Sequence, residues 1–177
     1  MQPVTRALVL AGAVLLGASQ TRAQGGGQYS VGISAAAPMG ALDTLAKPGF
    51  GLQIRVALGE PDNTWSGRGT FGFDYFGGKG IYANLQFQSA GFDVVHRSGP
   101  GWYQFAGIML SNSKYALKGG TPGVTRLAQS QDFGLNAGVG VNWKWSDTNM
   151  FAEFGANTLF TGADNSNWMP VRIGIRF

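Results

Sequence analysis

The stretch 132–145 alternates strictly between two kinds of residue. Every second position is apolar, and the positions between them carry aspartate, glycine, asparagine or lysine. Because successive side chains of a strand point to opposite faces, this period of two predicts a strand whose faces meet different surroundings. The last ten residues repeat the pattern, with one face formed by Met169, Val171, Ile173, Ile175 and Phe177. In a soluble sandwich such an apolar face is the core, whereas in a transmembrane barrel it meets lipid.

The composition favours strands joined by tight turns. The chain has 177 residues, of which 29 are glycine, 12% are aromatic and 12% are charged, about half the charged fraction of an average globular protein. Its length suits one domain. Basic residues are scattered singly, so no nucleic-acid partner is predicted. Cysteine is absent, which excludes disulfides and thiolate metal sites, and no cofactor is predicted.

The N-terminus has the parts of a secretory signal peptide. Arg6 supplies a positive charge, residues 7–18 form an apolar run, and small residues precede a cleavage site after Ala23. The run is too short to cross a bilayer as a helix. We therefore predict a signal peptide at 1–23 and a mature domain at 24–177. This mature domain contains 11 Lys and Arg and 9 Asp and Glu.

Eight segments of the mature domain are predicted strands of about ten residues, bounded by turn-forming residues. They are 28–37, 49–58, 67–77, 81–95, 102–112, 132–145, 150–160 and 168–177. We expect one helical turn within 39–47 and the longest loop at 113–131, flanked by extensions of the neighbouring strands. A β-bulge is predicted near Gly91, where the alternation of the fourth strand changes phase.

The predicted fold is all-β, an eight-stranded antiparallel up-and-down transmembrane β-barrel. The face opposite each apolar row is mostly Gly, Ser, Asn and Gln with a few charges of both signs, which suits a narrow lumen packed with side chains. Aromatic residues concentrate near strand ends, where interfacial girdles lie. Glu153 and Arg172 are the expected direct pair because the seventh and eighth strands are neighbours. The predicted lumen network consists of Arg55, Asp74, Lys144, Glu153 and Arg172.

Three segments give the chain a resemblance to a known family. They are Gly134-Leu-Asn-Ala-Gly-Val-Gly-Val141, Phe151-Ala-Glu153 and the ending Met169-Pro-Val-Arg-Ile-Gly-Ile-Arg-Phe177. Together they resemble the small eight-stranded outer-membrane β-barrel proteins, the opacity-type and OmpA-, OmpX- or OmpW-like barrels. The resemblance implies a bacterial outer-membrane location, contact with membrane lipid and no catalytic residue. It also implies that the last strand, with Met169, Val171, Ile173, Ile175 and Phe177, is a signal for the barrel-assembly machinery.

The sequence leaves several roles open for such a barrel. The first is a monomeric, non-enzymatic protein with a structural or surface-interaction role and a filled polar lumen. A narrow channel for small or apolar solutes is the alternative. A third is a lipid-modifying enzyme, because His96 and Ser98 form a His-x-Ser pair like that of barrel deacylases, although we predict a solvated turn histidine. A fourth role, a soluble secreted lipid-binding barrel, requires apolar rows that point inward and polar rows that point outward.

Overall fold

The chain folds into one closed barrel. The computed structural model describes residues 28–58, 63–118, 127–162 and 164–177, so the predicted signal peptide at 1–23 lies outside it. None of the described helices is long and apolar enough to cross a membrane. All eight strands pair antiparallel with their sequence neighbours, and β1 pairs with β8. The elements are β1 (Tyr29–Met39), α1 (Ala41–Leu45), β2 (Ala46–Leu58), β3 (Trp65–Gly78), β4 (Tyr82–Arg97), β5 (Trp102–Leu117), β6 (Leu127–Trp145), β7 (Thr148–Phe160) and β8 (Ser166–Arg176).

Closure removes the free sheet edges, because the first strand completes the hydrogen bonding of the last. Ten residue pairs join β1 to β8, from Ser30–Arg176 to Met39–Asn167. A closed barrel satisfies the backbone within the sheet, which is what a strand needs in order to cross lipid. The predicted fold class is confirmed.

The barrel has two ends, which we name by what lies there. The even number of strands brings the start of β1 and the end of β8 to one end, the terminus end, together with the β4–β5 and β6–β7 turns. The α1 end carries α1 and the connection between β3 and β4. The predicted helical turn is confirmed as α1, which the chain enters at Gly40 with a φ of 57° that favours glycine.

A belt of exposed apolar side chains surrounds the barrel between two aromatic girdles. Tryptophans such as Trp65 and Trp143 mark the terminus side, and Tyr75 and Phe133 mark the α1 side. Ten residues separate the two girdles on β3 and on β6, which corresponds to about 33 Å along a strand and about 25 Å along the axis of a tilted barrel. Every strand contributes to the belt: Ile33, Leu52, Phe71, Val94, Ile108, Val139, Phe154 and Ile173.

The bulge predicted near Gly91 is wrong. The β3–β4 register runs without interruption from Trp65–His96 to Gly77–Asn84. The odd-numbered positions, among them Leu85, Phe87 and Asp93, point inward, while the even-numbered positions from 86 to 94 point outward. The strand is therefore regular, and what changes along it is the kind of residue on each face. The one register shift of β4 lies at Tyr82/Asn84 in its pairing with β5.

Both flanks of the loop predicted at 113–131 are strand, and residues 119–126 lie outside the described ranges. β5 continues to Leu117 and β6 begins at Leu127, so that β4, β5 and β6 rise beyond the aromatic girdle at the α1 end. We name residues 82–88, 111–117 and 127–132 the strand extensions. Their outer face is polar and their inner face is largely apolar or hydroxylic, the reverse of the membrane-level pattern.

Candidate functional site: the filled interior of the barrel

Glu153 is the centre of a buried ion cluster at membrane level. Its carboxylate accepts hydrogen bonds from both terminal nitrogens of Arg55, with Nη1 2.8 Å from Oε1. Arg68 Nη1 lies 2.6 Å and the Tyr103 hydroxyl 2.8 Å from the same Oε1. Arg172 completes the surroundings, with Nη1 3.8 Å from Oε2. The Glu153 side chain is fully buried, so its charge is neutralised by these arginines rather than by water.

Arg68 joins this centre to a second carboxylate. Its Nε and Nη2 donate to Asp93 Oδ2 at 2.9 and 2.7 Å, while its Nη1 reaches Glu153. Asn136 donates from Nδ2 to Asp93 Oδ1 at 2.8 Å. One planar guanidinium thus bridges two acids from two other strands, a geometry that lysine cannot reproduce. We name Arg55, Arg68, Asp93, Tyr103, Asn136, Glu153 and Arg172 the ion cluster.

Aromatic rings and glycines shape the space around the guanidinium groups. Arg55 Cζ lies 4.5 Å from the ring centroid of Phe151, and Arg68 Cζ lies 4.5 Å from that of Phe105, so each cation rests on an aromatic face. A Cβ at Gly107 would lie 2.3 Å from Asp93 Oδ1. The absence of a side chain at this inward position makes room for the carboxylate.

Asp74 lies apart from Glu153, nearer the α1 end. It is buried beside Ser34 and the Trp168 indole, with Arg172 as its oppositely charged neighbour. With the Asn157 amide turned so that its oxygen faces the donors, this oxygen accepts from Trp168 Nε1 at 3.0 Å and Arg172 Nη2 at 3.3 Å. A cavity of about 20 Å³ adjoins these groups. That volume suits about one water molecule.

An apolar cluster closes the barrel at the α1 end. The rings of Phe87 and Trp168 are stacked with centroids 5.1 Å apart, and Phe76 meets both edge-on at 5.7 and 6.2 Å. Leu42 of α1 is buried against this group. We name the set the apolar plug, and it consists of Ala36, Leu42, Ala46, Phe76, Leu85, Phe87, Met109, Leu159 and Trp168.

The structure brings together only part of the predicted lumen network. Arg55, Glu153 and Arg172 meet, whereas Asp74 has Arg172 as an oppositely charged neighbour without forming a salt bridge to it. Lys144 does not join, because it lies beyond the packed interior, exposed at the terminus end where an open vestibule of about 390 Å³ begins. The expected pair of Glu153 and Arg172 is present, with Nη1 3.8 Å from Oε2 across neighbouring strands. It is not the closest pair of the cluster, because Arg55 and Arg68 approach the same carboxylate at 2.8 and 2.6 Å.

Sequence reasoning missed four members of the ion cluster: Arg68, Asp93, Tyr103 and Asn136. Arg68 lies an even number of residues from Asp74 in β3, so the two share a face. This spacing could have identified Arg68 as a lumen residue. Asp93 lies on the same face of β4 as the apolar residues Leu85 and Phe87, and the bulge predicted near Gly91 concealed this. The register places Arg68 opposite Asp93 on neighbouring strands.

The remaining candidate residues lie on the outer surface. Val171, Ile173, Ile175 and Phe177 point outward with 37% to 56% exposure, as expected for a lipid-facing row. His96 also faces outward, and its ring lies 4.4 Å from that of Trp65. No group of three or more His, Asp or Glu within the described ranges is arranged to hold a metal ion.

Comparison with known proteins yields the fold. No protein-family model and no curated protein matches the sequence. The structure of Ail, the attachment invasion locus protein of Yersinia pestis, covers 85% of this chain and 99% of its own at 16% identity and a TM-score of 0.58.

Two further solved structures agree with it. A major outer membrane protein from Thermus thermophilus covers 86% of this chain and 99% of its own at 12% identity and a TM-score of 0.58. Neisserial surface protein A covers 86% of this chain and 96% of its own at 14% identity and a TM-score of 0.56. The chain therefore has the fold of the small eight-stranded outer-membrane barrels.

Proposed function

We propose that the protein is a monomeric outer-membrane barrel with a closed interior, acting as a structural or surface-interaction protein rather than as a channel or an enzyme. The observation that carries this proposal is the filling of the lumen at two successive levels. Ion-paired arginines occupy the membrane level, and stacked aromatic rings occupy the α1 end.

The belt supports residence in a membrane. Apolar side chains are exposed on all eight strands between girdles about 25 Å apart, and water around the barrel would make such a surface unfavourable. The belt continues around the whole barrel as one apolar surface that lipid can cover, which favours a monomer. The short turns at the terminus end favour a periplasmic position for it, with the α1 end outside the cell.

The packed interior supports a closed barrel. In and beside the ion cluster, Arg55, Arg68 and Arg172 are balanced by Asp74, Asp93 and Glu153, all of them buried. A passing ion would have to separate these pairs, which costs several kcal/mol for each charge left alone. It would then meet the aromatic rings of the apolar plug, which are an unfavourable environment for a charge.

The surroundings of His96 support a non-enzymatic role. Its ring lies against Trp65 on the outer face, and Ser98 belongs to the turn that follows β4. Among the residues that the structure describes, no carboxylate forms a salt bridge or hydrogen bond with His96, so the pair lacks the group that orients a catalytic imidazole.

Planar-bilayer recordings of the refolded barrel test the proposal, with a porin reconstituted in parallel as a positive control. We expect a baseline current after insertion has been verified by heat-modifiable migration. Reproducible single-channel openings would establish the channel alternative instead. Recovery of the protein in the soluble periplasmic fraction would overturn membrane residence.

A further inference from the structure

The outer face of the strand extensions carries an ordered group of polar side chains directly above the lipid-facing belt. Leu110 and Phe133 are exposed apolar residues of that belt. Two residues closer to the α1 end on each strand, the outward positions change to amides and a lysine. We name this group the amide array, and it consists of Gln86, Gln88, Asn112, Lys114, Gln129 and Gln131.

Strand register arranges the array in two rows. Gln88 pairs with Asn112, which pairs with Gln131 on its other side. The next row places Lys114 in the centre, flanked by its partners Gln86 and Gln129. On β3, the same rows continue into two aromatic rings, Phe73 and Tyr75.

We infer that the amide array binds the headgroup of the outer-leaflet glycolipid, a saccharide that carries phosphate. Side-chain amides offer both donors and acceptors to sugar hydroxyls, and the Lys114 ammonium supplies a cation for a phosphate. The rings of Phe73 and Tyr75 offer apolar faces at the edge of the array. The occupant is a membrane glycolipid because the array is continuous with the belt, so a headgroup whose acyl chains lie against Leu110 reaches it without leaving the bilayer.

Asn112, at the centre of one row, supports an occupant. Its side-chain oxygen is covered by neighbouring groups and has no hydrogen-bond donor within the described ranges. Such an acceptor is unfavourable, and a hydroxyl entering between the flanking amides would satisfy it. The inference rests on the proposed membrane residence with the α1 end outward.

Titration of fluorescent lipopolysaccharide against the barrel in a zwitterionic detergent tests the inference. We expect Lys114→Ala to weaken binding about threefold and the triple change Gln86→Ala, Lys114→Ala, Gln129→Ala to weaken it about tenfold or more. Dephosphorylated lipopolysaccharide should abolish the difference between wild type and Lys114→Ala. The matched controls Lys144→Ala and Gln104→Ala, at the terminus end, should bind as wild type does.

Each contrary result has a distinct meaning. Equal binding by the wild type and the folded triple variant would overturn the array as the site. Equally tight binding of the lipid-free core saccharide would make a soluble glycan the occupant and overturn the membrane assignment. A wild type that shows no heat-modifiable folded form in detergent would instead contradict the proposed function, since the barrel itself would then be absent.

Discussion

The membrane level and the α1 end of this barrel have opposite polarity. At the membrane level the outside is apolar and the inside holds the ion cluster. At the α1 end the outside carries the amide array and the inside holds the apolar plug. β4 passes through both levels, with Gln86 outside and Leu85 inside at one, and Val94 outside and Asp93 inside at the other.

The difference teaches that the outside medium decides which face of a strand is apolar. Where lipid surrounds the barrel, burial of apolar groups against other side chains brings little gain, and polar groups satisfy each other inside. Where water surrounds it, the hydrophobic effect drives apolar side chains inward as in a soluble protein. The apolar plug and the ion cluster are therefore stabilised by different forces.

Loss of the central carboxylate should have the largest effect. Glu153→Gln removes the charge that neutralises Arg55, Arg68 and, at longer range, Arg172. We expect destabilisation of about 3–5 kcal/mol because buried cations are left unpaired. Urea unfolding of the barrel in detergent, followed by heat-modifiable migration, measures it. The exposed turn change Asp147→Asn is the control, and equal stabilities for the two variants would show that the pairs contribute nothing.

A cavity in the apolar plug should come next. Leu85→Ala removes a fully buried side chain from the plug, and we expect a cost of about 3 kcal/mol. Its neighbour Gln86 faces outward, and Gln86→Ala should change stability by less than about 0.5 kcal/mol. The same urea titration compares them. If Gln86→Ala destabilised the barrel more than Leu85→Ala, the inward position of Leu85 and the outward position of Gln86 would be wrong.

A carboxylate on the outer face should distinguish the two levels. Ile173→Asp places a charge in the lipid-facing belt. We expect a cost of up to about 2 kcal/mol, less than the roughly 2–4 kcal/mol of lysine or arginine at mid-bilayer. Gln88→Asp makes a charge of the same sign on the outer face of the strand extensions and should cost almost nothing. Unfolding in lipid vesicles provides the measurement, and equal costs would contradict the difference in surroundings.

The terminal aromatic should matter least for the folded barrel. Phe177→Ala keeps the hydrogen bond from its backbone N–H to the Tyr29 carbonyl and removes an exposed ring. Because the resemblance implies that the last strand is an assembly signal, outer-membrane levels should fall severalfold while the unfolding midpoint in vitro stays unchanged. Immunoblotting of membrane fractions measures the level, with Phe160→Ala as an exposed aromatic control. Normal membrane levels would remove the support for this signal.

The sequence alone determined the strand segments that lie at membrane level. Over most of 132–145 and of the last ten residues, one side of the strand faces lipid and the other faces the interior, and the predicted outward row of Val171, Ile173 and Ile175 is confirmed. The eight-stranded barrel followed from the count of such segments and the short turns between them. These features are local, because a period of two is a property of the strand itself.

Only the tertiary structure decided which face of β4 is inside and which charges meet. Alternation shows that Leu85 and Asp93 share a face of the strand, but not whether that face points inward. An apolar residue points outward at the level of the lipid and inward beyond it, so the height of each residue must be known first. The two arginines closest to Glu153 lie on β2 and β3, strands far from β7 in the chain, and reach it across the lumen. Lys144 lies on the same face of β6 as the inward-pointing Asn136, yet it is past the mouth of the barrel. Closure and strand stagger set these distances, and neither is written in any single strand.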